Sequence, residues 1–233
     1  MIVFFRSLLF NIFFYFWTAL VMVEFLPLIF FPPVVVINAG RLWARGIVFA
    51  AKIICGIKWQ VKGAENIPEG AAVIASKHQS AWETIVFYIL CSMPVYILKK
   101  ELQYIPVFGW YIKAIRAIAV NRSGGAAALR KMVKQVQERR KEGRQIIVFP
   151  EGTRVSPGKK RKYQAGIAAI YAHTNMPVIP VALNSGKCWP KNSFMKYPGT
   201  ITFEILRPIE PGMPKKEFMK QLEDKIETAS ASL

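Results

Sequence analysis

One histidine and one carboxylate in this chain are spaced for proton transfer. His78 and Glu83 lie five residues apart in the stretch from Lys77 to Thr84. The apolar run 71–75 before them is typical of a buried strand, and 85–90 continues as a helix. His78 therefore lies at a strand-to-helix junction, and Glu83, in the first helical turn, can face back toward it. A histidine held by a carboxylate is the usual means of removing a proton from a hydroxyl.

The same stretch also fits a purely structural interpretation. Ser80 and Glu83 match a Ser-x-x-Glu capping box, in which the glutamate accepts hydrogen bonds from backbone N–H groups at the helix start. From this stretch alone the two interpretations have equal weight. The chain contains only two histidines, and His173 lies in a featureless segment, so His78 is the main candidate for histidine chemistry.

A second candidate site follows another apolar strand, at 149–154, with the sequence Phe-Pro-Glu-Gly-Thr-Arg. Gly152 lets backbone N–H groups approach an anion closely, Thr153 supplies a hydroxyl, and Arg154 can fork two oxygens. Glu151 can hold an arginine in place. The pattern predicts a phosphate site, and a plain turn closed by a Glu–Arg pair is the alternative.

Two more strand ends carry unusual residues. Arg122 directly follows a short apolar strand and is a second arginine that Glu151 can hold. Pro180 lies inside the apolar run 178–183, which favours an edge strand or a bulge. Because α/β proteins collect their sites at strand ends, we expect these turns to meet.

The charge of the chain is large and unevenly placed. It has 32 basic and 14 acidic side chains, a formal charge of +18. Residues 1–40 hold only Arg6 and Glu24, so the whole positive excess lies in the remainder. Such a body attracts nucleic acid, anionic lipid or phosphorylated ligands. The apolar start favours lipid, and no aromatic residues alternate with the cations, so nucleic acid is not an expected partner.

Residues 1–40 are expected to be hydrophobic, membrane-anchoring helices. Their apolar residues go all round a helix, as suits lipid, and Glu24 and then several prolines interrupt the run. A membrane span needs about 20 apolar residues. A single tilted span and a broken helix pair in one leaflet both fit, and the prolines favour the pair. Cations after this segment place its end on the cytoplasmic side, namely Arg41, Arg45 and Lys52.

Strands alternate with helices from Lys58 onward. This order predicts an α/β fold with a mixed, largely parallel sheet covered by helices. The expected division is 1–40 for the anchoring helices and 41–233 for the globular domain. The three cysteines lie far apart without a metal-type spacing, so they are expected to be buried free thiols and no metal site is expected.

The ordered motifs resemble those of the glycerolipid acyltransferases, most closely the bacterial lysophosphatidic acid (1-acyl-sn-glycerol-3-phosphate) acyltransferases. The family's His-x4-Asp motif is matched by His78 and Glu83, with Glu replacing the usual Asp. A block ending in arginine is matched at Arg122, and Phe-Pro-Glu-Gly-Thr-Arg is matched residue for residue at 149–154. A proline-bearing strand is matched at 178–181. The resemblance covers roughly residues 58–210, and the apolar start also looks like the family's membrane-embedding helix pair.

The resemblance implies an acyltransferase fold and the transfer of a fatty acyl group to the sn-2 hydroxyl of lysophosphatidic acid, giving phosphatidic acid. It implies His78 as general base and Glu83 as the group that orients it. It implies no cofactor, only an acyl-CoA or acyl carrier protein thioester as co-substrate. The partners implied are the lipid bilayer, the lysophospholipid acceptor and the thioester donor. The expected location is the bacterial inner membrane, with the catalytic domain on the cytoplasmic face. The residues implied to bind the acceptor phosphate are Arg122, Glu151, Gly152, Thr153 and Arg154, with further substrate contacts possible at Lys99, Lys100 and Pro180.

Two alternatives stay open at this point. One is an acyltransferase for another acceptor, such as lyso-ornithine lipid or glycerol 3-phosphate. The other is a non-catalytic membrane-surface protein, which the presence of both His78 and a carboxylate at 83 disfavours.

Overall fold

A computed structural model describes residues 1–233 and places the core on a seven-stranded sheet. The strands are β1 (Ile57–Lys62), β2 (Ala72–Ser76), β3 (Pro94–Lys99), β4 (Ile118–Val120), β5 (Gln145–Val148), β6 (Val178–Leu183) and β7 (Gly199–Ile205). The strand order is β1-β7-β6-β2-β5-β3-β4. Strands β2 to β6 run parallel to one another, whereas β7 is antiparallel to β6 and β1 is parallel to β7. The predicted mixed, largely parallel sheet is therefore confirmed.

Adjacent residues of a strand point to opposite sides of the sheet. Because the strands are apolar on both sides, helices cover both faces. The helices are α1 (Ile2–Glu24), α2 (Pro33–Cys55), α3 (Trp82–Leu90), α4 (Phe108–Ala114), α5 (Gly125–Lys141), α6 (Ala165–Thr174), α7 (Ser185–Cys188) and α8 (Lys215–Ser232). Ile74 packs with α2 and α3 on one face, and Val73 packs with α5, α6 and α8 on the other.

The first two helices form an apolar pair. α1 ends at Glu24, a 3₁₀ helix runs from Leu26 to Phe30, and Pro33 opens α2, where its fixed φ suits the first turn. Both helices are long and apolar enough to cross a membrane by length and composition. The expected domain boundary at residue 40 lies inside α2, which continues to Cys55 as one helix.

Hydrogen bonds tie the two helices together. The Trp17 indole donates to the Trp43 carbonyl at 3.1 Å, and the Trp43 indole donates to the Thr18 hydroxyl at 3.0 Å. Only Ser7, Phe10 and Val21 of α1 are buried, so most of its apolar surface faces outward.

The predictions for Pro180 and the cysteines have different outcomes. β6 is an interior strand between β2 and β7, so the edge-strand expectation is wrong. Pro180 still contributes its carbonyl, which accepts the Leu206 N–H at 2.9 Å directly after the end of β7. All three cysteines are buried and free, as predicted.

Candidate active site

His78 and Glu83 are in direct contact. His78 Nδ1 lies 2.8 Å from Glu83 Oε1, and the Glu83 side chain is fully buried. A carboxylate only accepts, so Nδ1 carries the proton and Nε2 keeps its lone pair. The imidazole stacks on the Phe149 ring at a centroid distance of 3.9 Å, which fixes the ring plane. The spacing read from the sequence thus produces an imidazole held in one orientation.

Glu83 also caps the start of α3, so the contacts that the proton-transfer interpretation and the capping interpretation expect are both present. Its Oε1 accepts the backbone N–H groups of Gln79 and Ser80, each at 2.7 Å. The Ser80 hydroxyl accepts the Trp82 N–H at 3.1 Å. One carboxylate therefore stabilises the helix start and holds the histidine.

A third element reaches the same carboxylate. The buried Ser185 hydroxyl, just after β6, donates to Glu83 Oε2 at 2.7 Å. The neighbouring Gly186 N–H donates to the Gln79 side-chain oxygen at 3.0 Å. The β6–α7 junction thus fixes the His78 turn from a second side.

Ser185→Ala is expected to lower turnover about tenfold, equivalent to about 1.4 kcal/mol, because the Glu83 carboxylate loses one of its positioning bonds. The acceptor KM is expected to stay unchanged, since Ser185 does not line the cavity. Initial rates normalised to folded protein measure the effect.

Ser80→Ala is the matched control for this change. It deletes a buried hydroxyl at the same turn that bonds the Trp82 N–H and not the carboxylate. It is expected to cost about 1 kcal/mol of stability without reducing turnover. Identical kinetics for the Ser80 and Ser185 variants would show that Ser185 has no positioning role.

Glu151 lies behind the histidine and does not pair with an arginine, which corrects the expectation from the sequence. Its Oε2 accepts the His78 backbone N–H at 2.9 Å, and its Oε1 lies 2.7 Å from Lys77 Nζ. Burial raises the pKa of the Glu151 carboxyl above its ordinary value, and the Lys77 ammonium opposes that shift. Lys77 also bonds Glu227 of α8 at 2.7 Å, and Tyr163 donates to the same carboxylate at 3.0 Å. This buried network of side chains holds the His78 turn in place.

A cavity of about 940 Å³ opens in front of His78. Of its 40 lining residues, 24 are hydrophobic. β3 pairs with β5 only as far as Tyr96 and with β4 from Ile97 onward, so the strands diverge here. Leu98 and Val148, one on each side of this divergence, both line the cavity. The cavity also reaches the first helix pair, which contributes Thr18, Val21, Met22, Phe25, Val36, Ala39, Gly40 and Trp43.

Most of the predicted phosphate residues line this cavity. Gly152 has φ +71°, which favours glycine, and the Arg122 guanidinium lies near it. Glu151, Lys100 and Pro180 are not among the lining residues: Glu151 and Pro180 are buried, and Lys100 is exposed. The predicted residues that meet around the cavity are His78, Lys99, Arg122, Gly152, Thr153 and Arg154.

Sequence reasoning missed the residues that support the site. Lys77 and Ser185 belong to no motif, and their importance comes from neighbours 74 or more residues away in the chain, since Lys77 meets Glu151 and Ser185 meets Glu83. The one signal available for Lys77 was a lysine directly after the largely apolar strand Ala72–Ser76, a position where a buried charge needs a partner.

The sheet, its covering helices and the N-terminal apolar pair define a protein of the glycerolipid acyltransferase fold. The crystal structure of a 1-acyl-sn-glycerophosphate (LPA) acyltransferase from Thermotoga maritima superposes with a TM-score of 0.81, covering 98% of this chain and 96% of that one at 24% identity. The chain belongs to the acyltransferase family, whose model, described as "Acyltransferase", matches residues 58–184.

Several relatives carry the name 1-acyl-sn-glycerol-3-phosphate acyltransferase, among them proteins from Pseudomonas aeruginosa and Limnanthes alba. The protein from Pseudomonas aeruginosa is 41% identical over 163 residues, 70% of this chain and 63% of that relative. The protein from Limnanthes alba is 29% identical over 194 residues, 82% of this chain and 66% of that relative. The matched regions thus span slightly less than two thirds of the length of each relative.

Proposed function

We propose that this protein transfers a fatty acyl group from a thioester to the free sn-2 hydroxyl of lysophosphatidic acid, giving phosphatidic acid. The observation that carries the proposal is the His78–Glu83 pair at 2.8 Å, which faces an apolar cavity shared with two arginines and the apolar helix pair. The names of the relatives from Pseudomonas and Limnanthes support the same acceptor.

The chemistry follows from the protonation state of His78. Nε2 takes the proton of the acceptor hydroxyl as that oxygen attacks the thioester carbonyl, and the Glu83 charge stabilises the imidazolium that forms. When the tetrahedral intermediate collapses, the C–S bond breaks and the thiolate takes the proton back from Nε2. The new ester and the free thiol leave, so the step balances without an acyl-enzyme.

The acceptor phosphate is assigned to the basic end of the cavity. Arg122 and Arg154 offer forked donors, while Gly152 and Thr153 add a close backbone approach and a hydroxyl. Lys99 lines the same space and adds positive charge. Glu151 has a different part in this proposal, since it holds the His78 backbone rather than the phosphate.

The acyl chains are assigned to the apolar part of the cavity, and the donor is an acyl-CoA or acyl carrier protein thioester. The helix pair keeps the globular domain at the membrane surface on the cytoplasmic side, so neither lipid crosses water. The division into anchoring helices and a catalytic domain is part of the same proposal, with α2 spanning the boundary between them.

A transfer assay tests the proposal. The protein in phospholipid vesicles is given lysophosphatidic acid with labelled acyl-CoA or labelled acyl carrier protein, and products are identified by mass spectrometry. We expect labelled phosphatidic acid with at least one donor. Absence of acylated product with both donors would contradict the proposal.

Arg122→Ala and Arg154→Ala are each expected to raise the KM for lysophosphatidic acid, by roughly tenfold or more for a lost charge-assisted bond of about 1.5–3 kcal/mol. A matched acceptor without phosphate, monoacylglycerol, is expected to react slowly with wild type and to be unaffected by either change. Equal losses with both acceptors would place the arginines outside the phosphate site. Arg140→Ala, on the exposed side of α5, is the control for overall charge.

A further inference from the structure

A second apolar surface lies beside the helix pair. Tyr104, Ile105, Phe108 and Trp110 are 71%, 45%, 40% and 49% exposed, respectively. They lie on residues 104–110, which run from the end of a 3₁₀ helix (Lys100–Tyr104) through three linking residues into the first turn of α4, and we refer to this segment as the 104–110 loop. Four large exposed apolar side chains in seven residues are unusual for a surface in contact with water alone.

The loop is continuous with the helix pair. The Tyr111 hydroxyl, directly after the loop, donates to the Met22 carbonyl at 2.9 Å. The same cavity wall combines Met22 and Phe25 of the helix pair with Phe108 of the loop. The bend of the pair exposes Phe30 at 88%, so exposed aromatic residues occur on both elements.

The backbone holds the loop in one shape. Val107 has φ +62°, which a β-branched residue rarely adopts. The Gly109 N–H donates to the Ile105 carbonyl at 2.8 Å, and a Cβ at Gly109 would lie 2.1 Å from the Gln103 carbonyl oxygen. The loop therefore presents its aromatic side chains from a tight, fixed turn.

The charged residues beside the loop indicate that it contacts an anionic surface. Lys99, Lys100 and Lys113 flank it and are exposed, and Glu101 is the only acidic residue from 99 to 113. Aromatic residues between lysines suit the interface of an anionic bilayer, where rings lie at headgroup depth and ammonium groups meet phosphates.

We propose that the 104–110 loop inserts into the interface of an anionic phospholipid bilayer as a second anchor beside the helix pair. The inference rests on the proposed function for the membrane setting. Because the pair and the loop both line the cavity, a lysophospholipid enters it from the bilayer without leaving the lipid.

Site-specific labelling tests this inference, because the three native cysteines are buried and leave an introduced cysteine as the exposed thiol. An environment-sensitive fluorophore is attached at Trp110→Cys, at Phe30→Cys on the bend, and at Asp224→Cys on α8, which covers the other face of the sheet. Each protein is mixed with vesicles of phosphatidylcholine and phosphatidylglycerol that carry a lipid-bound quencher.

The label at 110 is expected to shift to the blue and be quenched like the label at 30, while the label at 224 stays unchanged. A label at 110 that behaves like the one at 224 would overturn the inference and leave the proposed function intact. Quenching at neither 30 nor 110 would overturn the inference together with the membrane setting. The transfer assay on the same labelled proteins reports separately on acyl transfer.

Discussion

His78→Ala is expected to abolish acyl transfer. General-base catalysis typically contributes about 10² to 10⁴ in rate, and no other histidine is near to replace the lost base. The second histidine, His173, lies on α6 and contacts the Ala169 carbonyl. The measurement is the initial rate of phosphatidic acid formation in vesicles, normalised to folded, membrane-bound protein.

The fold is expected to survive this change. His78 lies at the cavity wall, and Glu83 keeps three further donors, from Gln79, Ser80 and Ser185. Unfolding midpoint and vesicle binding are therefore expected to stay near wild type. His173→Ala, which removes the other imidazole from an exposed helix position, is the matched control and is expected to keep full activity. Full activity in the His78 variant would exclude the proposed mechanism.

Glu83→Gln is expected to reduce turnover by up to about 10⁴-fold, the loss seen when the carboxylate of another histidine–carboxylate pair is made neutral. The amide oxygen of glutamine can still accept the Gln79 and Ser80 N–H groups, so the start of α3 stays capped. The negative charge that stabilises the imidazolium is lost. Rate per folded molecule and unfolding midpoint, measured on one preparation, separate the two roles.

Glu83→Asp is the companion variant because it keeps the charge and shortens the side chain by one methylene, about 1.5 Å. The 2.7 Å bond from Ser185 is then out of reach, and the contact with His78 lengthens. We expect a smaller loss of turnover than in the glutamine variant. If helix capping were the only role of Glu83, glutamine would cost about 1 kcal/mol of stability at most and leave the rate per folded molecule unchanged.

The sequence predicted the parts of this fold that depend on local pattern. The alternation of apolar strands and helices determines the sheet, and it places His78, Arg122 and 149–154 at strand ends that meet because the strands are parallel. The spacing of His78 and Glu83 is likewise local, so their contact could be predicted from one helical turn.

Side-chain partners across the fold could not be predicted in the same way. Glu151 was expected to pair with an arginine nearby in the motif, but the buried ammonium of Lys77 and the His78 backbone lie closer. A buried carboxylate bonds the donors that lie near it in the interior, and for Glu151 these are the Lys77 ammonium and the His78 N–H, directly after β2 and far away in the chain. Pro180 lies inside the sheet because β7 pairs beside β6, and local sequence does not encode that pairing.

Competition between acceptors tests the central claim most directly. Wild-type protein in vesicles receives equal amounts of lysophosphatidic acid, lyso-ornithine lipid and glycerol 3-phosphate with a limiting labelled thioester, and each acylated product is quantified by mass spectrometry. The proposed site predicts that phosphatidic acid labelled at the sn-2 position is the dominant product. Label that accumulates mainly in ornithine lipid or in lysophosphatidic acid newly made from glycerol 3-phosphate would contradict the account.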